Sequence, residues 1–112
     1  MKNFMLLIRE DLALTSSRSE EEMQAEIDEY TRWVESLSAE DLYVAGDPLA
    51  PEGRLMTGEE VQSDGPFIES KEAVTGYILI KARDLDHAVE LSRGCPVFRY
   101  GGQLEVRPVF SY

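Results

Sequence analysis

The segment from Val74 to Ile80 constrains the fold of this 112-residue chain more than any other part of the sequence. It is apolar and rich in β-branched side chains, which is the composition of a well-covered central strand. The polar loop before it begins with Asp64, Gly65 and Pro66, residue types that favour a turn. A structured loop that leads directly into a sheet is a common place for functional side chains. We therefore expect the strand Val74–Ala82 to lie at the centre of the fold.

Sequence periodicity on both sides of this strand predicts two β-α-β units with a small hairpin between them. The first unit has predicted strands over Phe4–Ile8 and Leu42–Gly46. The hairpin spans Arg54–Ser63, and the second unit ends in a strand over Gln103–Val109. Two such units with right-handed crossovers predict an α+β fold, a ferredoxin-like βαββαβ sandwich with both helices on one face of a mainly antiparallel sheet. A chain of this length is expected to form a single domain over 1–112.

Two helices are predicted from capping residues and helical periodicity. Ser19 followed by Glu22 is a capping box that predicts the start of the first long helix. The apolar side chains of that helix recur at steps of four and three residues and are expected to face the core: Met23, Ile27, Tyr30, Val34 and Leu37. Glu26 is among the charged residues expected to face solvent. The second helix is predicted to begin after an N-cap at Asp84 and to end at a left-handed Gly94.

The formal net charge of −11 at pH 7 bounds the classes of partner. Such a field repels phosphate backbones and anionic lipids, so we expect neither nucleic acid nor a membrane surface as a partner. One cysteine excludes an internal disulfide, and no Cys/His spacing suits a structural zinc site, so we expect no metal and no cofactor. The N-terminal apolar run is too short for a signal peptide or a membrane span, which makes the cytoplasm the expected location.

The sheet face opposite the predicted helices mixes apolar and charged side chains. If alternation holds, that face carries Met5, Leu7, Tyr77, Leu79 and Val109 beside Arg9, Lys81, Glu105 and Arg107. Such a face is too apolar to stay exposed and too charged to form a core. A homodimer in which two of these faces pack together, with a cleft left for the polar residues, resolves the conflict.

Arg9, Arg107 and Tyr77 are predicted ligand-binding residues of that face. Arg9 and Arg107 lie on strands that are neighbours in this fold, so their guanidinium groups could bind a small carboxylate-bearing metabolite. Alternatively, they could neutralise Glu105, Glu69 or Glu72 within the dimer interface, as a buried ionic network. Tyr77 could donate a hydrogen bond to the same ligand, although aromatic strand residues are more often part of the core.

Asp64, Glu72 and Lys71 are the remaining candidates. Asp64 could act as a general acid or base at the edge of the sheet, or its carboxylate could only accept backbone N–H bonds within its turn. Glu72 could be a catalytic carboxylate, with Lys71 as a ligand-binding residue whose ammonium tunes it. The alternative for the whole run is a set of solvated charges.

The run Asp64-Gly-Pro-Phe-x-Glu-x-Lys-Glu, followed by Gly76-Tyr77, resembles the signature of the YCII-related family, in particular its DGPF-domain branch. The resemblance extends through Gly94-Cys-Pro96 and Glu105-Val-Arg-Pro108, and so covers most of the chain. It implies a homodimer of the dimeric ferredoxin-like α/β-barrel type, a fold that often hosts isomerase, lyase or oxygenase chemistry. Some relatives are thought to use a His–Asp pair with the histidine in the N-terminal part of the chain. This sequence has no histidine there, so that mechanism does not carry over.

Two functions follow from these observations. The first is binding of a small carboxylate-bearing metabolite in a dimer-associated cleft, extended by cofactor-free acid–base chemistry. The alternative is a non-catalytic regulatory or interaction module, because DGPF proteins are often encoded beside extracytoplasmic-function sigma factors. A third possibility is a structural homodimer with no ligand, in which the Asp64 loop serves only the fold. The sequence leaves open whether the protein is an enzyme.

Overall fold

The computed structural model describes residues 1–62 and 72–111, and it confirms the predicted α+β architecture. The strands of the main sheet are β1 Lys2–Asp11, β2 Tyr43–Pro48, β5 Glu72–Ala82 and β6 Gln103–Pro108. They are antiparallel and lie in the order β2-β5-β1-β6, consistent with a ferredoxin-like fold. The predicted hairpin is also present and pairs β3 Leu55–Thr57 with β4 Glu60–Gln62.

The helices begin and end at residues with clear capping chemistry. Their bounds are α1 Leu12–Ser16, α2 Glu20–Ala39, α3 Leu85–Ser92 and a 3₁₀ helix Pro96–Tyr100. The predicted capping box of α2 is confirmed: the Ser19 hydroxyl accepts from the backbone N–H of Glu22 at 3.1 Å, and the Glu22 carboxylate accepts from the backbone N–H of Ser19 at 3.2 Å. The predicted N-cap of α3 is confirmed as well, since the Asp84 carboxylate accepts from the N–H of His87 at 2.8 Å.

One face of the main sheet packs against α2 and α3, and we call it the covered face. Alternate side chains of β1 and β5 form its centre: Phe4, Leu6, Ile8, Ile78 and Ile80. Trp33 and Leu37 of α2 close over this layer. The indole N–H of Trp33 donates to the carbonyl oxygen of Leu91 at 3.2 Å, so its one polar atom is satisfied within the core.

Gly94 does not adopt the left-handed conformation that the sequence predicts. The described glycines with positive φ are Gly58 and Gly101, and α3 ends instead at Arg93 with φ −60°. A Cβ atom at position 94 would lie 2.9 Å from the ring of Trp33. Close packing against the indole, rather than a turn, therefore explains the glycine at this position.

The predicted buried stripe of α2 is wrong in its N-terminal half. Met23 and Ile27 are 50% and 54% exposed, whereas Glu26, which the sequence places in solvent, is partly buried. The helix is rotated so that Glu26 and Glu29 turn inward, which is possible because Arg18 and Arg99 pair with them. As a result, the N-terminal half of α2 leaves its apolar side chains uncovered.

The opposite face, which we call the open face, has the predicted register. Leu7 of β1 lies opposite Tyr77 of β5 on one side and Glu105 of β6 on the other, and Met5 lies opposite Leu79 and Arg107. Met5, Leu7, Tyr77 and Leu79 are half-buried rather than buried, whereas Val109 lies beyond the end of β6 and is 45% exposed. Alternation is thus confirmed along β1 and, from Gly76 onward, along β5.

Within residues 1–62 and 72–111, no helix combines the length and the apolar character that crossing a membrane requires.

Candidate functional site

A cleft of about 430 Å³ opens between α2 and the edge of the sheet formed by β2 and β5. We call it the α2 cleft. Its described lining residues are Ile8, Glu10, Glu26, Ile27, Tyr30, Thr31, Val34, Glu35, Tyr43, Gly46, Asp47, Pro48, Thr75, Tyr77 and Ile78. Its volume falls within the roughly 300–1,000 Å³ that is usual for small-molecule sites.

A β-bulge in β5 shapes one wall of the cleft. Ile8 pairs with Gly76, but the next residue of β1, Arg9, pairs with Val74, so Thr75 is the extra residue. The bulge turns the Thr75 hydroxyl toward the covered face, where it donates to Oε1 of Glu10 at 2.6 Å. A local irregularity of the strand therefore places a polar group at the cleft floor.

Glu10 and Glu26, which line the cleft, form a largely buried charged group with Arg18, and we call it the Glu10–Arg18–Glu26 triad. Nη2 of Arg18 donates to Oε2 of Glu10 at 3.0 Å, and Nη1 of Arg18 donates to Oε2 of Glu26. The side chains of Glu10, Arg18 and Glu26 are only 9%, 10% and 13% exposed. The guanidinium carbon of Arg18 also lies 4.6 Å from the ring centre of Tyr100, a cation–π contact. Buried ion pairs need such additional contacts to offset the loss of hydration.

The triad contains two carboxylates but one guanidinium group. Burial raises the pKa of Glu26 above its ordinary value, with the nearby Arg18 acting in the opposite direction. Among the described residues, donors contact both oxygens of Glu10 but one oxygen of Glu26. Glu26 is therefore the member of the triad with hydrogen-bonding capacity left for a ligand.

Tyr30 lines the cleft, and its hydroxyl lies 3.8 Å from Sγ of the buried Cys95. Burial is the main cause that raises the pKa of both groups. Because a thiol with a raised pKa is a poor nucleophile, we assign Cys95 a packing role.

Tyr77 stands at the cleft mouth, where its hydroxyl donates to Oδ2 of Asp47 at 2.8 Å. This hydrogen bond is the main cause of the raised pKa of Tyr77. Tyr77 is thus a predicted ligand-binding residue that does line a cleft, although the cleft lies at the β2 edge and not at the centre of the open face.

Arg9 and Arg107 lie on the open face, away from the α2 cleft. Nη1 of Arg9 is 3.6 Å from Oε1 of Glu105, and Nη1 of Arg107 is 3.7 Å from Oε2 of the same carboxylate. Both arginines thus pair with Glu105, one of the three carboxylates that the ion-pair alternative names, but they do so as partly exposed pairs within one chain. Their role in ligand binding stays a prediction.

The other predicted site residues cannot be placed in this site. Asp64 and Lys71 lie outside the described residues, as does the side chain of Glu72. Their proposed catalytic and binding roles stay predictions. In the described ranges, no three His, Cys, Asp or Glu side chains are grouped so that they could hold a metal ion.

Sequence reasoning missed Glu10, Arg18, Glu26 and Thr75. One signal was available, because strict alternation in β1 places Glu10 on the same face as Phe4, Leu6 and Ile8. A carboxylate on a buried face requires a cation nearby, but the sequence does not show which of the 11 basic residues supplies it.

The fold and the cleft together define a ferredoxin-like α+β domain with a small-molecule-sized cleft under its first long helix. The chain belongs to the YCII-related domain family, whose profile matches residues 2–112. It is also similar to an uncharacterized protein of Rhizobium meliloti (strain 1021), with 34% identity over an alignment of 122 positions that covers 97% of this chain and 93% of that protein. Family membership specifies no reaction and no ligand here, so a functional conclusion has to rest on the site.

Proposed function

We propose that this protein binds a small organic molecule in the α2 cleft. The observation that carries the proposal is the cleft itself, with apolar walls and a buried charged floor. Ile8, Val34 and Ile78 supply apolar wall surface, and the Glu10–Arg18–Glu26 triad lies beneath it. Apolar walls with a few convergent polar groups are the usual composition of small-molecule sites.

The rim of the cleft supports the same proposal. Ile27 lines the cleft but is 54% exposed. Its apolar side chain stands beside a cavity instead of filling the core. Exposed apolar surface that rims a concavity is typical of a site that buries it on binding.

The direct test blocks the cleft from its rim. We expect a fragment library, screened by protein-observed NMR, to yield ligands for the wild type. Ile27→Trp places a large ring in the cleft and should weaken those ligands by about tenfold or more. Met23→Trp is the matched control, because it adds the same ring to the same helix at a similarly exposed position that does not line the cleft.

Equal loss of affinity in both tryptophan variants would contradict the proposal, because the effect would then be general to α2. A screen that yields no ligand for the wild type would contradict it as well. Circular dichroism of both variants should show an unchanged fold, since surface substitutions usually change stability by less than about 0.5 kcal/mol.

The open face supports a second proposal, which is homodimer formation with a carboxylate site at the interface. Met5, Leu7 and Leu79 form a half-buried apolar strip there. The guanidinium groups of Arg9 and Arg107 contact the same Glu105 carboxylate from neighbouring strands, so a carboxylate fits between them. A small carboxylate-bearing metabolite would take the place of Glu105 at that position.

The dimer is tested by light scattering coupled to size exclusion. Leu79→Glu introduces a charge at the middle of the strip and should convert a dimer into a monomer. Met56→Glu adds the same charge to the exposed hairpin, where Met56 is 64% exposed, and should leave the mass unchanged. A wild type that runs as a monomer at all concentrations would rule out this proposal.

Catalysis remains a separate matter from binding. Acid–base chemistry by Asp64 or Glu72 stays a prediction, as does the regulatory alternative with its link to sigma factors.

A further inference from the structure

The proposed ligand site has a definite charge preference. We infer that the α2 cleft takes an organic cation, an ammonium group carried on an apolar body, with the ammonium directed at Glu26. The inference rests on the proposed function and adds the chemical class of the ligand. It differs from the sequence-based expectation of a carboxylate-bearing ligand, which belongs to the open face.

The charged side chains that line the cleft all have one sign. In the described part of the chain they are Glu10, Glu26, Glu35 and Asp47, and the lining residues there include no Lys, Arg or His. Arg18 is not a lining residue, and its guanidinium group donates to two of these carboxylates. A ligand carboxylate would add another negative charge to this group, whereas a cation would be attracted to it.

The floor holds more negative charge than the fold requires. One carboxylate, that of Glu10, already accepts from both Arg18 and Thr75 and would suffice to neutralise the guanidinium group. Glu26 brings a second carboxylate into a partly buried position beside the cavity. An ionised Glu26 therefore lacks one full counter-charge, and a ligand cation would supply it.

The aromatic walls suit the same ligand. Tyr30 and Tyr43 line the cleft and pack against the core, and phenol ring faces attract ammonium groups. Apolar contacts with Ile8, Val34 and Ile78 would hold the body of the ligand. The net charge of −11 also favours the approach of cations from solution.

Three probes of matched size separate charge from shape: cyclohexylmethylammonium, cyclohexylmethanol and cyclohexanecarboxylate. Each is titrated into the full-length wild type and followed through the amide resonances of α2 and β2. We expect the ammonium probe to bind about tenfold more tightly than the alcohol, because only the former forms a charge-assisted hydrogen bond and a cation–π contact. We expect the carboxylate to leave these resonances unshifted.

Two variants of equal charge change assign the preference to one residue. Glu26→Gln keeps the shape of the side chain and should lower the affinity for the ammonium probe by about tenfold, with little effect on the alcohol. Glu90→Gln is the control, since Glu90 is 65% exposed on α3 and pairs with Arg93 away from the cleft. It removes the same charge from the protein but should leave the affinity for all three probes unchanged.

The possible results separate failure of the inferred charge preference from failure of the proposed ligand binding in the α2 cleft. If the alcohol and the ammonium bind the cleft equally well, the cleft is a ligand site and the inferred charge preference is wrong. The preference is also wrong if the carboxylate binds the cleft most tightly, or if both glutamine variants weaken the ammonium equally. If none of the probes shifts the cleft resonances and the fragment screen is also empty, the proposed function itself fails.

Discussion

Arg9 and Glu10 are consecutive residues of β1, yet they meet opposite environments. The Arg9 side chain is 37% exposed on the open face and lies 3.6 Å from Glu105, in a long ion pair that water can reach. The Glu10 side chain is 9% exposed on the covered face and accepts hydrogen bonds from Arg18 and Thr75. One step along a strand thus separates a solvated charge from a buried one.

The extent to which the helices cover a charged side chain decides how strongly that side chain depends on its ion-pair partners. On the open face the ion pairs of Arg9 and Arg107 are partly hydrated and gain little from pairing. Beneath α2 the charges of the triad have lost most of their water, so each depends on its partners. A charged ligand that binds next to such residues can therefore change their interaction energy more than it would change that of solvated charges.

The largest difference between the two faces is expected for loss of an arginine. Arg18→Met keeps much of the packing but leaves two buried carboxylates without their cation, and should lower the free energy of unfolding by about 3 kcal/mol near neutral pH. Arg9→Met is the matched change on the open face and should lower it by less than about 1 kcal/mol. Urea denaturation measures both values. Equal destabilisation by the two variants would remove the distinction between the faces.

A smaller difference is expected for loss of a hydroxyl group. Thr75→Val leaves the bulge intact but deprives Oε1 of the buried Glu10 of its donor, and should lower the free energy of unfolding by about 2 kcal/mol. Tyr77→Phe removes an exposed hydrogen bond to Asp47 and should have no measurable effect on stability. If the tyrosine variant is the less stable of the two, then hydrogen bonding at the cleft mouth matters more than at its floor.

The smallest effect expected is the pH dependence contributed by Glu26. Because burial raises its folded-state pKa above the ordinary value of 4.5, the folded protein binds this proton more tightly than the unfolded chain. Stability from Glu26 is therefore fully present below the unfolded-state pKa and is lost as the pH rises through the folded-state pKa. The Glu26→Gln variant has no carboxyl group to ionise at this position. Its free energy of unfolding should therefore rise relative to that of the wild type as the pH increases through this interval.

Carboxyl resonances of isotopically labelled glutamate, assigned with the glutamine variant, measure the titration of Glu26 itself. We expect a midpoint above 4.5. A midpoint below that value would mean that Arg18, rather than burial, controls this carboxylate.

The fold was predictable because its signals are local. The capping box at Ser19, the N-cap at Asp84 and the alternation in β1 each depend on a few neighbouring residues, and each is confirmed. The pairing order of the strands then follows from the chirality of two β-α-β units.

The site was much less predictable because its signals are tertiary. The inward rotation of Glu26 depends on Arg18, which is eight residues away along the chain but adjacent in space. The position of the Thr75 hydroxyl depends on a bulge, which alternation alone does not indicate. Periodicity therefore placed Glu26 in solvent and Ile27 in the core, the reverse of what the structure shows.

Chemical-shift mapping of the wild type with cyclohexylmethylammonium locates the ligand site in a single titration. We expect the shifted amides to cluster on α2, β2 and the bulge at Thr75, with little change along β6 or at Arg9. Shifts that cluster instead around Glu105 and Arg107, with α2 unaffected, would overturn the assignment of the site to the α2 cleft and move it to the open face.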